Sequence, residues 1–277
     1  MKHTPTLKKQ RIMTQISPLA FVDPGARIGN NVRIAPFAYI AGDTVIGDNC
    51  HIHPHVSVLE GAVIGNDCEV FDGAVISATP QDFRWKGARS FVKIGDNTTV
   101  REHVIINRSI RDNQATEIGA NSFVMAQSHI GHDSTIGDYV VLGNSVKIAG
   151  DCKVGNFSIL SSNALVHERC EVGEWVLVKG GTRVNSHVPP YVVVAHNPLA
   201  YYGVNTFILR KGKFTEAVID DIAKCYRHIY QCNTSVLNAV RRIQEDIPEG
   251  KERDAILAFI RNHNLKIAGV PEMLLED

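Results

Sequence analysis

The 277-residue sequence lacks any excess of charge, any long apolar run and any abundance of aromatic side chains. Lysine and arginine together number 29, as do aspartate and glutamate, so the formal net charge is zero. This balance argues against a general binder of nucleic acid or of anionic membranes. No run approaches the roughly 18 apolar residues of a membrane span, and no apolar stretch follows the basic N-terminal residues as in a signal peptide. We therefore expect a cytoplasmic protein that does not span a membrane.

What the sequence has instead is a repeat of six residues. Aliphatic residues recur at every sixth position from Ile16 to Ile76, and the phase resumes at Ile94 and again from Ile118 to Val184. A short β-strand followed by a turn fits this period, whereas a helix does not. Three hexads make one coil, and coils stack through parallel ladders at about 4.8 Å. The repeat therefore predicts a prism of roughly nine coils with the aliphatic side chains inside.

Interruptions of the repeat divide the chain. We predict an N-terminal extension over 1–15, a repeat domain over 16–190 with loops at 77–93 and 107–117, and a C-terminal segment with a small helical domain over 191–277. Loops that break a regular repeat are where function tends to lie. Apolar residues at helical spacing predict three helices that we expect to cover the open end of the prism. These helices are Thr215–Cys232, Ser235–Asp246 and Lys251–Asn262.

One group of polar residues falls at a single edge of the predicted prism, because residues 18 apart occupy the same place on neighbouring coils. A histidine can take a proton from a hydroxyl, a neighbouring carboxylate can orient it, and a glycine N–H can stabilise an oxyanion. The pattern predicts direct acyl transfer from a thioester to a hydroxyl, without a metal or another cofactor. The group consists of His129, His132, Asp133, Gly150, Asp151, His167 and Glu168.

A second set of histidines has a simpler interpretation. His51, His53 and His55 alternate along the chain, so a metal cluster is conceivable. No acidic or cysteine partner shows a fixed spacing to them, which favours a solvated face.

Four pieces of sequence together indicate a family. They are the continuous hexads, the Gln81-Asp82 pair in the first loop, the segment from His129 to Asp133, and Val188-Pro189-Pro190-Tyr191 followed by Gly203-Val204-Asn205. From residue 16 to about 262 the chain resembles the UDP-N-acetylglucosamine O-acyltransferases, which catalyse the first step of lipid A biosynthesis. The resemblance implies a left-handed β-helix and a homotrimer with active sites between subunits. It also implies transfer of an (R)-3-hydroxyacyl chain from acyl carrier protein to the 3-hydroxyl of UDP-N-acetylglucosamine.

The resemblance assigns roles to individual residues. His132 matches the general base, Asp133 its orienting partner and Gly150 the oxyanion donor. Gly180 falls where the family sets acyl-chain length, and a glycine there leaves room for a long chain. Residues matching substrate contacts are Gln81, Asp82, Arg84, His129, His167, Glu168, Asn205, Arg210 and Lys211.

The chain departs from the family pattern at four positions. Arg84 replaces a common lysine, and Asp151 stands where a histidine is found. Phe207 replaces a glutamate that helps to bind the nucleotide, and Gly212 replaces one of two consecutive arginines. These differences bear mainly on nucleotide contacts and on the identity of the amino sugar.

Several alternatives remain open from the sequence. A γ-type carbonic anhydrase is also a hexad trimer, and His129 and His132 would supply two of its three zinc ligands. A hexapeptide acetyltransferase would use acetyl-coenzyme A, and a purely structural prism would use none of these residues. The sister N-acyltransferase of the same pathway is disfavoured, because only 15 residues precede the first hexad.

Overall fold

The computed structural model describes residues 13–232, 234–264 and 266–269. Over these ranges the chain folds as the predicted left-handed parallel β-helix followed by a small α-helical domain. Most of the predicted N-terminal extension, residues 1–12, and the last residues of the predicted C-terminal segment, 270–277, lie outside the described residues.

Three sheets form the sides of the prism in the described part of the chain. Sheet 1 contains β1 Gln15–Ile16, β4 Arg33–Ile34, β7 His51–Ile52, β10 Glu69–Val70, β13 Thr99–Val100, β16 Phe123–Val124, β19 Val141–Leu142, β22 Ile159–Leu160, β25 Leu177–Val178, β27 Val192–Ala195 and β28 Ala200–Val204. Sheet 2 contains β2 Phe21–Val22, β5 Tyr39–Ile40, β8 Ser57–Val58, β11 Val75–Ala78, β14 Ile105–Asn107, β17 His129–Ile130, β20 Lys147–Ile148, β23 Leu165–Val166 and β26 Arg183–Val184. Sheet 3 contains β3 Arg27–Ile28, β6 Val45–Ile46, β9 Ala62–Ile64, β12 Phe91–Ile94, β15 Ala115–Ile118, β18 Thr135–Ile136, β21 Lys153–Val154 and β24 Glu171–Val172.

The aliphatic hexad residues form the core from Ile34 onward, as predicted, whereas Ile16 at the N-terminal end of the prism is 46% exposed. Ile40, Ile76, Ile130 and Leu142 are fully buried. Their neighbours in sequence point outward, because side chains alternate along a strand. Coils approach so closely at the corner after sheet 3 that a Cβ on Gly119 would lie 2.5 Å from the backbone of the next coil. Glycine after the aliphatic residue is therefore required for stacking at this corner.

The prism continues beyond the last predicted hexad at Val184. Val188 forms a parallel bridge with Val172, and β27 pairs in parallel with β25. The step from Val184 to Val188 is four residues instead of six, so a strict six-residue count stops too early. The antiparallel strand β28 then leads the chain out of the prism.

The C-terminal domain contains four helices in the described ranges: α1 Thr206–Lys211, α2 Glu216–Tyr230, α3 Val236–Asp246 and α4 Lys251–Asn262. Three match the predicted helices, with Thr215 and Ser235 acting as N-caps whose hydroxyls accept backbone hydrogen bonds. The short helix α1 was not predicted, because six residues are too few to show a helical period. The domain covers the C-terminal end of the prism, where Val188 and Val194 are fully buried. Each helix in the described residues is too short or too polar to span a bilayer.

Two loops leave the prism between sheets. The first joins β11 to β12 over residues 79–90, and the second joins β14 to β15 over residues 108–114. Both follow strands of sheet 2, so they emerge at the corner between sheets 2 and 3. His132 lies at this same corner.

Candidate active site

The candidate site is built on three neighbouring strands of sheet 2. Strands β17, β20 and β23 pair in register, so that Ile130 aligns with Ile148 and Ile148 with Val166. The turns after these strands therefore stack, placing His132, Gly150 and Glu168 one above another. This is the arrangement that the spacing of 18 residues predicts.

His132 lies between two carboxylates. Its Nδ1–H donates to Oδ2 of Asp133 over 2.8 Å, and its Nε2 lies 3.2 Å from Oδ2 of Asp82 in the first loop. Asp133 therefore fixes which ring nitrogen carries the proton, and Nε2 is left for proton transfer. His132 is only 7% exposed, because the first loop and Gly150 cover a side chain that the repeat alone places outside the core.

The second loop holds Asp133 in place. Its carboxylate accepts hydrogen bonds from the Ser109 hydroxyl and from the Ile110 N–H at 3.1 Å, and Nη1 of Arg111 lies 2.9 Å from Oδ1. Burial raises the pKa of Asp133, but these hydrogen bonds and the Arg111 charge outweigh burial and leave the pKa below its usual value. Asp133 thus stays ionised while it orients His132.

Ser109 and Arg111 are site residues that the sequence did not predict. The available signal was the position of the loop, which interrupts the repeat one coil before His132. Arg111 also lies 2.5 Å from Asp151. It therefore bridges Asp133 and Asp151 on neighbouring coils.

Arg84 holds the first loop in place over the site. Its guanidinium donates to the Asp82 carboxylate at 2.7 Å and to Oε1 of Glu168 at 2.8 Å. Arg84 also holds the pKa of Asp82 well below its usual range. Gln81, beside it, is exposed. The pair between Arg84 and Glu168 connects the loop to the coil beyond Gly150.

Gly150 supports the imidazole of His132. A Cβ atom built on Gly150 would overlap Cε1 and Nε2 of the ring, so the ring packs directly against the glycine backbone. In the described part of the chain the Gly150 N–H has no hydrogen-bond partner. Within these residues the Gly150 N–H is therefore available as a hydrogen-bond donor next to the His132 turn.

A shallow cavity of about 500 Å³ lies on the outer face of sheet 2 beside this group. His129, Lys147, Leu165, His167 and Glu168 line it. Burial lowers the pKa of His129. His167 accepts a hydrogen bond at 2.6 Å from Nε of Arg183 on the next coil. The cavity therefore offers two imidazoles, one ammonium and one carboxylate as hydrogen-bonding groups next to the His132 corner.

Other predicted site residues lie at different corners of the same chain. Asn205 is 2% exposed, and its side chain donates to the Trp175 carbonyl at the corner between sheets 3 and 1. Arg210 pairs with Glu216 at 2.8 Å, and Lys211 lies over the Phe207 ring.

Gly180 follows β25 at the third corner, between sheets 1 and 2. One protomer therefore brings together the histidine group but not Gly180 or the α1 residues.

The replacement of arginine by Gly212 has a packing reason. Trp175 stacks on Phe157 and meets Phe214 edge-on, with ring centroids 4.2 and 5.1 Å apart. A Cβ on Gly212 would lie 2.5 Å from the Trp175 ring. The aromatic stack therefore excludes a larger side chain at this position. Phe207 is 65% exposed, and among the described residues its ring pairs with Lys211 and with no aromatic side chain.

Comparison with known proteins identifies the family. Residues 187–268 match the family model of UDP-N-acetylglucosamine O-acyltransferase, domain 2, and residues 43–78 and 115–150 match the bacterial transferase hexapeptide model. An acyl-[acyl-carrier-protein]–UDP-N-acetylglucosamine O-acyltransferase of Syntrophobacter fumaroxidans is 36% identical over 89% of this chain and 96% of its own length. The enzyme of the same name from Gloeothece citriformis is also 36% identical, over 63% of each chain.

Solved structures agree with this result. The crystal structure of a UDP-N-acetylglucosamine acyltransferase from Bacteroides fragilis superposes with a TM-score of 0.89 at 40% identity, covering 93% of this chain and all of that one. The corresponding enzyme of Francisella novicida gives a TM-score of 0.90 at 32% identity, over 95% and 97% of the two chains. With its hexad prism, its helical domain and its histidine corner, this chain belongs to the UDP-N-acetylglucosamine O-acyltransferase family.

Proposed function

We propose that this protein transfers an (R)-3-hydroxyacyl chain from acyl carrier protein to the 3-hydroxyl of UDP-N-acetylglucosamine, as the first step of lipid A biosynthesis in the cytoplasm. The observation that carries the proposal is the His132 ring, bound through Nδ1 to Asp133 and packed against the free amide of Gly150. The relatives from Syntrophobacter fumaroxidans and Bacteroides fragilis, named for acyl transfer to UDP-N-acetylglucosamine, support this choice of substrates.

The chemistry follows from these positions. The sugar 3-hydroxyl gives its proton to Nε2 of His132 while its oxygen bonds to the thioester carbon. The carbonyl oxygen becomes an oxyanion that accepts a hydrogen bond from Gly150 N–H. The carbon–sulfur bond then breaks, and the departing thiolate of the carrier protein takes the proton from His132. Asp82 lies 3.2 Å from Nε2, and when the acceptor binds it exchanges this contact for a hydrogen bond from a neighbouring sugar hydroxyl.

A homotrimer with sites between subunits is part of the proposal. Asn205, Lys211 and Gly180 lie at corners of the prism that do not include His132. A single site that uses all of them needs corners from more than one chain. The packing of three prisms around an axis would supply them.

The outer faces of the prism support this assembly. On sheet 1 the outward residues of four successive coils are apolar: Phe123, Val141, Ile159 and Leu177. On sheet 3 the outward residues include charges: Lys93, Glu117, Lys153 and Glu171. Leu165 is 40% exposed on sheet 2. A prism that presents a continuous apolar stripe on sheet 1 suits burial of that face against a neighbour.

The zinc alternative finds no support in the geometry. Both ring nitrogens of His132 face carboxylates at hydrogen-bonding distance. In the described residues, neither His129 nor His132 belongs to a group of three potential ligands whose atoms lie within 4.8 Å of one another. A zinc ion bound to His132 would first have to displace one of these carboxylates from the ring.

The direct test is an assay with UDP-N-acetylglucosamine and hydroxyacyl carrier proteins of several lengths, with products identified by mass spectrometry. We expect a monoacylated nucleotide sugar from a long 3-hydroxyacyl donor and none from acetyl-coenzyme A. Product only from acetyl-coenzyme A would overturn the function. Product only from short hydroxyacyl donors would retain the function and refute the role of Gly180 as an opening for long chains.

Asp133→Asn should slow transfer less than loss of His132, by about 10- to 100-fold, because the ring keeps a neutral hydrogen-bond partner. It should also lower the free energy of unfolding at neutral pH, where the ionised Asp133 is stabilised by the second loop. Because the pKa of Asp133 is lowered on folding, this contribution is present above its usual value near pH 4 and is lost as pH falls through the lowered pKa.

Urea unfolding of both proteins across pH 3 to 7 checks this. The stability difference should shrink below about pH 4. A difference that is constant with pH would show that the Asp133 charge contributes nothing to stability.

A further inference from the structure

A second cluster of titratable residues lies on the outer face of sheet 1, far from the His132 corner. His51 in β7 pairs in register with Glu69 in β10, so the two outward side chains are neighbours on adjacent coils. His53 follows β7 by one residue and turns toward the same carboxylate. In the described part of the chain, these three residues form the group of metal-binding side chains whose ligand atoms lie within 4.8 Å of one another.

The sequence favours a solvated face for these histidines, because no acidic partner shows a fixed spacing along the chain. Glu69 lies 18 residues after His51, which is the spacing of one coil. The missing partner is therefore present on the neighbouring coil. His55, by contrast, stacks on Phe37 and takes no part in the cluster.

The distances suit a small divalent ion. Nε2 of His53 lies 2.9 Å from Oε1 of Glu69, and Nδ1 of His51 lies 3.6 Å from the same oxygen. Zinc with bonds of about 2.0–2.1 Å in tetrahedral geometry holds its ligand atoms about 3.3 Å apart. The observed separations lie on either side of this value, so small side-chain rotations would bring the three atoms into coordinating positions.

The surroundings fix the ligands further. The His53 ring stacks between His51 and Phe71, with centroids 4.0 and 4.2 Å away. Its other nitrogen, Nδ1, lies 4.0 Å from Oδ2 of Asp72, so the ring faces a carboxylate on each side. At 4.0 Å this is a charge contact and not a hydrogen bond.

We propose that His51, His53 and Glu69 bind one divalent transition-metal ion of the zinc class. Two imidazole nitrogens and one carboxylate oxygen form the ligand set, and the fourth position is open in the single chain, where His51 and Glu69 are 38% and 42% exposed. The apolar residues of sheet 1 that we assign to the trimer contact lie on later coils, from Phe123 onward. The set of two histidines and one glutamate is a recurring zinc ligand set. The site is separate from acyl transfer, since it lies on another sheet and belongs to coils nearer the N-terminus.

The test is metal titration of the full chain after removal of bound metal with EDTA. Co²⁺ should give a saturable visible spectrum with one ion per chain, and Zn²⁺ should displace it. His53→Gln and His51→Gln should each weaken Zn²⁺ binding by more than about 100-fold, which exceeds the roughly 10- to 100-fold loss that removal of an orienting partner causes. Acyl transfer by both variants should match that of the unmodified protein.

His55→Gln is the matched control, because it removes a histidine two residues from His53 that lies outside the cluster. It should bind Zn²⁺ like the unmodified protein. Anomalous diffraction at the zinc edge should place the ion between His51, His53 and Glu69. Absence of saturable binding, equal affinity of the His53→Gln variant, or an anomalous peak elsewhere would each overturn the proposal.

Discussion

His132→Ala should abolish acyl transfer, with a loss of about 10²- to 10⁴-fold. The change removes the nitrogen that accepts the hydroxyl proton and leaves Asp82 and Asp133 facing an empty space. Because His132 is only 7% exposed and bonded to Asp133, the variant should also lose about 1–3 kcal/mol of stability. The fold itself should persist, since the aliphatic core column is unchanged.

Rates are measured with the hydroxyacyl donor, and thermal melting and sedimentation are measured alongside. Together they distinguish a loss of catalysis from a loss of folding or assembly. Added imidazole should restore part of the activity of His132→Ala, because it can occupy the vacated space and accept a proton. His228→Ala is a suitable control: this histidine also faces an aspartate, Asp246 at 3.4 Å, but lies in the helical domain. Near-native transfer by His132→Ala would contradict the assignment of the base.

Gly150→Ala should reduce transfer by about 100-fold, although the change adds a single methyl group. The new Cβ would overlap the His132 ring at Cε1 and Nε2, so the ring must move from its position beside Asp133. Misplacement of a catalytic group by about 1 Å is enough for a loss of this size. The effect should appear mainly in kcat, because substrate contacts elsewhere are unchanged.

The matched control is Gly250→Ala at the N-cap of α4, where an added Cβ meets no atom within 4 Å. This variant should retain full activity. A crystal structure of Gly150→Ala should show a displaced imidazole. If the ring kept its position and transfer were unaffected, Gly150 would have no role in holding the base or the oxyanion.

The stacking of the site residues on neighbouring coils was predictable because the repeat has a constant length. Residues 18 apart share a place on neighbouring coils, so counting along the chain is enough to bring His132 and Gly150 together. The same arithmetic, applied to His51, leads to Glu69.

Contacts made by the loops were not predictable in this way. Arg84 reaches Glu168 and Arg111 reaches Asp133 from segments without periodicity, so their conformations depend on contacts distant in sequence. The end of the prism was missed for a related reason, since Val188 continues the core column after an irregular step. The structure of the repeat segments can therefore be predicted from their own sequence. The structure of the loops depends on the distant residues that they contact.

The stacking of coils sets the distance between His132 and the helical domain. Each coil adds about 4.8 Å along the prism, so adding or removing one coil changes the height of His132 below the helical domain by that amount. Removal of residues 151–168 would preserve the inward aliphatic column but lower α1 by one such step. The distance between His132 and the helical domain can therefore change only by whole coils. A ligand that contacts both must be longer or shorter by the same amount.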